Sequence, residues 1–140
     1  MRHALRISLG VMIALSAAGC PTTQQRLLDS NVDKLKIRSI QTRSFDTADR
    51  KAVLRATVAT LQDLGFVVDK ADSDLGTITA TKLAGYSART TVTVRPRGEK
   101  QIAVRASIEH NDRTVEDPQT YQDFFSALAK SLFLSANQVD

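Results

Sequence analysis

Few residues in this chain have side chains suited to chemistry, and they are scattered. Cys20 is the only cysteine among 140 residues. A lone thiol serves as nucleophile, metal ligand or acylation site according to its surroundings. His110 lies among Glu109, Asn111 and Asp112, a base with orienting acids close by in sequence. No Gly-x-Ser-x-Gly elbow accompanies it, so it reads as a solvated loop histidine. Asp69, Asp72 and Asp74 precede Gly76. A calcium loop needs a twelve-residue frame closed by glutamate, which is missing, so these acids read as a turn and no metal site is expected. Glu116 and Asp117 are adjacent carboxylates. Asp117 precedes Pro118, the pattern of a helix cap followed by proline at the first helical position. The chain is therefore not expected to be an enzyme.

Two surfaces are better candidates for binding. Arg89, Arg95, Arg97, Lys100 and Arg105 fall on one expected hairpin. They suit anionic lipid headgroups, lipopolysaccharide or an acidic partner, each charge near a membrane adding about 1 kcal/mol. The competing reading is a solvated sheet face. Phe133 and Leu134 widen the apolar side of the last expected helix. They either close the core or form a protein-binding patch.

The context of Cys20 is more specific. Met1 to Arg6 is basic and Ile7 to Ala18 is uncharged and apolar. Ala17-Ala18-Gly19 then leads to the cysteine. This is the layout of a secretory signal peptide, too short to span a bilayer core that takes about 20 residues. Leu15 to Cys20 resembles the cleavage box of bacterial lipoproteins, with Ala17 standing where that family usually has leucine. The resemblance implies that residues 1–19 are removed. It also implies that Cys20 carries a diacylglycerol and an N-acyl chain, with no other cofactor. Pro21, rather than aspartate, follows the cysteine, which in this family implies the outer membrane, with the domain facing the periplasm. An ordinary secreted protein is the alternative.

Without residues 1–19 the chain keeps 17 basic and 15 acidic residues, a net charge of +2. That balance lacks the basic stripe of a nucleic-acid binder, and no nucleic-acid partner is expected. Residues 20–34 read as the lipidated N-terminus and a polar tether, reaching at most roughly 50 Å when extended. Residues 35–140 read as one α+β domain.

Within that domain, alternation marks strands at Leu35–Phe45, Phe66–Ala71, Thr77–Leu83, Ala88–Arg95 and Gln101–Ile108. A helical stripe of Val53, Leu54, Val58, Leu61 and Leu64 follows a cap at Asp46 or Thr47 and ends at Gly65. A second helix from Gln119 to about Gln138 carries Tyr121, Phe124, Phe125, Leu128 and Leu132 on one face. The order β-α-β-β-β-β-α predicts a two-layer sandwich, an antiparallel sheet of about five strands with two helices on one face.

A helix, then Leu64-Gly65-Phe66-Val67-Val68, then a β-rich half and a final helix resembles the layout of BamC-type domains in the β-barrel assembly machinery. Location and fold together lead to the expectation of a non-enzymatic accessory or binding subunit. Its partner would be an envelope protein in an assembly, transport or secretion complex. A lipid- or envelope-glycan-binding module using the groove between helices and sheet is the alternative.

Overall fold

The computed structural model describes residues 23–83 and 87–136, with side chains from Ser30 to Phe133 within those ranges. The signal segment and Cys20 lie outside the described residues, as does the side chain of Leu134.

The elements are α1 (Thr23–Ile40), β1 (Thr42–Phe45), α2 (Arg50–Asp63), β2 (Val67–Asp72), β3 (Thr77–Leu83), β4 (Ser87–Arg97), β5 (Gln101–His110), β6 (Arg113–Thr114) and α3 (Pro118–Ala136). The strands form one antiparallel sheet in the order β1-β5-β4-β3-β2, with β6 also paired to β5. This is an α+β fold with helices packed on a sheet.

Period-two alternation sets the core. Ile78 and Ala80 of β3, Val92 and Val94 of β4, and Ile102, Val104, Ala106 and Ile108 of β5 are all buried on one face. Helix α2 lays Val53, Leu54, Ala56 and Leu61 on them, and α3 adds Tyr121, Phe124, Phe125 and Leu128. Phe124 and Phe125 meet edge to face at 5.1 Å. Two threonines are buried in α2, and their hydroxyls donate to the carbonyls one turn earlier, Thr57 to Val53 and Thr60 to Ala56. Those bonds make the polar atoms compatible with an apolar interface.

The ends of the elements follow local chemistry. Asp49 caps α2 by accepting from the Ala52 amide at 2.9 Å, in place of Asp46 or Thr47. Gly65 follows α2 at φ +81° and serves as its left-handed terminator. Asn111 and Asp112 both have positive φ and join β5 to β6, a tight hairpin where the sequence predicts a loop. Asn and Asp adopt that region more readily than other side chains, as such two-residue turns demand.

The N-terminal part departs from expectation. Thr23–Ile40 is a single helix, so it crosses the expected boundary between tether and first strand at Lys34 and Leu35. Only Thr42–Phe45 of the expected strand is extended. The short alternation of Leu35 and Ile37 proves to be helical phase. Ile37 and Ile40, three apart, are half-buried toward the domain, while Val32 and Leu35 are exposed. Helix α1 touches β1 and α3.

Candidate functional site

One face of the sheet carries α2 and α3; α1 borders the other face at its β5 end, beside Arg105 and Ser107. The side chains of that other face are read from the register. Thr42, Arg105, Thr93, Thr77 and Asp72 lie in one row across β1, β5, β4, β3 and β2. Ser107, Thr91, Thr79 and Lys70 form the next row, and Glu109, Arg89, Thr81 and Val67 the one after. The open face is therefore a field of half-buried threonines edged by charge.

The five basic residues singled out in the sequence do not form one cluster. Arg95, Arg97 and Lys100 gather at the β4–β5 turn, with Arg105 nearby on β5. Arg89 lies six residues back along β4, about 20 Å away at strand rise, opposite Glu109. Two of the five are anchored. Arg97 donates to the Ser44 hydroxyl at 2.7 Å, and Arg105 donates to the Gln41 side-chain oxygen at 3.2 Å.

Gln41, 2% exposed, is the hinge of this region. Its backbone carbonyl accepts from the Ala106 amide at 2.9 Å. Its side-chain nitrogen donates to the Tyr121 hydroxyl at 3.2 Å. That hydroxyl donates to the Val115 carbonyl at 2.7 Å and accepts from the Ile108 amide. A continuous chain of bonds thus runs from the α3 core to the Arg105 guanidinium on the open face.

Beside this network is a cleft of about 280 Å³ between α1 and the edge of β5. Lys34, Arg38, Arg105, Ser107, Thr114 and Glu116 line it. The sequence marks Arg105 but neither Lys34 nor Arg38, because their convergence depends on α1. Their four-residue spacing is the signal once a helix is known.

A larger cleft, about 490 Å³, opens between α2, α3 and the sheet. Ala88, Thr90 and Ile108 contribute from the sheet, Leu61, Leu64 and Phe124 from the helices, and Lys82, His110 and Asp123 add polar groups. Lys82 donates to the Leu64 carbonyl at 2.8 Å and lies 5.7 Å from the Phe66 ring centroid. Its side chain stands on the inward-facing phase of β3 after Ile78 and Ala80. A cation at the end of the apolar alternation of Ile78 and Ala80 is a mark of this cleft that the sequence carries but the strand pattern alone did not single out.

The carboxylates considered as chemical groups have local duties. Asp72 accepts from the amides of Asp74 and Leu75 and closes the turn, while Asp69 accepts from the Thr81 hydroxyl. Asp117 caps α3 through the Gln119 and Thr120 amides and the Thr120 hydroxyl. Hydrogen bonds from Thr120, then from Gln119, lower its pKa below the ordinary carboxylate value. Glu116 instead lines the α1 cleft, so the adjacent pair diverges. His110 closes β5 beside the larger cleft. Phe133 is 68% exposed near the end of α3. Among the described residues, no helix is long and apolar enough to cross a membrane. No protein-family model matches the sequence, and no curated protein aligns with it significantly.

Proposed function

We propose that the chain is a lipid-anchored envelope protein whose domain binds another envelope protein through the open face of its sheet. It acts as a non-enzymatic accessory subunit of an assembly, transport or secretion complex at the outer membrane. The observation that carries the binding role is the one-sided sheet. Its helix face buries the core, whereas its other face offers rows of Thr77, Thr79, Thr81, Thr91 and Thr93 interrupted by Arg89 and Arg105. Half-buried hydroxyls on a paired sheet form a preordered surface that loses little side-chain entropy on docking.

The anchor rests on Ile7 to Cys20. Helix α1 fits that reading as a spacer, since eighteen helical residues extend about 27 Å. A partner would then meet the open face near the bilayer.

Photo-crosslinkers at Thr91 and Thr93 test the reading in intact membranes. One defined protein adduct, lost when Thr79 is changed to Arg, is the expected result. Absence of any adduct from the open face, with adducts from the α2 surface instead, overturns it. Cys20→Ser should release the chain from the membrane fraction; retention there overturns the lipid anchor.

A second reading is favoured by the 490 Å³ cleft, whose size lies in the range of small-molecule sites. Apolar walls with Lys82 beside them suit an amphiphile with an anionic head. Mass spectrometry of the purified chain should then detect a bound lipid or glycolipid that is lost in Leu61→Trp.

A further inference from the structure

We infer that the cleft between α1 and β5 is a binding site for a phosphate monoester group. Three cations, Lys34, Arg38 and Arg105, line it against a single carboxylate, Glu116. That excess matches the double charge of a phosphate monoester. The Ser107 and Thr114 hydroxyls supply neutral donors.

The site is built rather than merely basic. Arg105 is held by the side chain of Gln41, which is 2% exposed and itself held by Tyr121. One guanidinium nitrogen is fixed there, and the planar fork still has donors for a phosphoryl oxygen. Lys34 and Arg38 lie one turn apart on α1, so both reach the same side of the cleft. The volume of about 280 Å³ equals the share of about nine waters. That is room for a phosphoryl group with part of its hydration. Ile37 is the one apolar residue of the lining; the rest are these charges, Gln41 and two hydroxyls, which suit a polar ligand better than an apolar one.

The phosphoryl group comes from a soluble phosphate ester or from a lipid headgroup, and two arms of one experiment separate these sources. The full chain is held in zwitterionic micelles, and the side-chain N–H signals of Arg38 and Arg105 are followed by NMR. In the first arm inorganic phosphate is added. In the second, the chain is placed in phosphatidylcholine bicelles with and without phosphatidic acid, and the same side-chain signals are compared.

Saturable shifts with phosphate support the site for soluble esters. Shifts only in bicelles containing phosphatidic acid support it for a lipid headgroup. No response in either arm overturns the proposal. The double substitution Lys34→Gln/Arg38→Gln, on exposed residues, should weaken binding about tenfold or more, and Glu116→Gln should tighten it about threefold. Equal affinity in both variants overturns the proposal even if phosphate binds elsewhere.

Discussion

The side-chain amide of Gln41, at the junction of α1 and β1, donates to the hydroxyl of Tyr121 in α3 at 3.2 Å. The two residues are eighty positions apart and both almost fully buried. The bond joins the first helix to the last one through the sheet. Tyr121→Phe removes the hydroxyl and strands the Gln41 amide, the Ile108 amide and the Val115 carbonyl. Leaving such groups without partners costs about 1–3 kcal/mol. Urea denaturation of Tyr121→Phe should show that loss. Gln41→Ala combined with it should cost less than the two single losses summed, because the residues share one network.

Gly76 and Gly98 both have left-handed backbone, at φ +68° and +66°. Their surroundings differ. A Cβ on Gly76 would collide with the Arg50 guanidinium and the Val94 carbonyl, whereas one on Gly98 meets nothing within 4 Å. Arg50 also donates to the Asp74 and Val94 carbonyls and ties α2 to this turn. Gly98→Ala should therefore cost only the conformational penalty, about 1–2 kcal/mol. Gly76→Ala should cost clearly more, because Arg50 is displaced as well. Paired thermal melts check the order.

Asp117 makes the α3 cap sensitive to acid. Its folded pKa is lowered from 3.8 by bonds from Thr120 and Gln119. Its contribution is therefore fully present above the unfolded value and is lost as pH falls below 3.8 through the folded pKa. Asp117→Asn keeps a capping oxygen but cannot titrate. Stability measured from pH 6 down to pH 2 should fall less steeply in that variant than in the parent.

Leu128 is completely buried within the α3 face of the core. Leu128→Ala should destabilise the domain by about 2–5 kcal/mol, transfer and cavity terms combined. Ser126→Ala, on the exposed side of the same helix, should change stability by no more than about 0.5 kcal/mol. A chemical denaturation series with both variants checks the helix phase.

The core face could be read from the sequence because its signals repeat. Ile102, Val104, Ala106 and Ile108 alternate, and all four are buried. Tyr121, Phe124, Phe125 and Leu128 recur at helical spacing and are buried together. Helix α1 was obscured by a different cause. Leu35 and Ile37 are two apart in a polar stretch, and so brief an alternation does not separate strand from helix. Gln41 carries no periodic mark at all. A glutamine enters a core only when partners for its amide have been brought there by tertiary contacts. The α1 cleft inherits both difficulties, since Lys34 and Arg38 meet Arg105 only after α1 is helical and Gln41 has docked. The hairpin of Asn111 and Asp112 had legible turn chemistry, but its β6 strand is only two residues long, too short for a pattern.

The two margins of the sheet have unequal consequences for self-association. Along β5, β1 pairs with Ile102 to Arg105, and the Gln41 carbonyl accepts from Ala106. Tyr121 and Val115 then engage Ile108 before β6 takes over at Glu109. Three segments of the chain, residues 41–45, 113–115 and Tyr121, thus cover β5 and leave only the short β1 and β6 as edge strands on that side. Among the described residues, β2 is the other margin. It shifts register between Val68 and Lys70 and exposes Asp69 and Lys70. An irregular, charged border is a poor template for strand addition. Of the edge strands β2 is the longest, and Asp69 lies within the register shift that guards it against fibre growth.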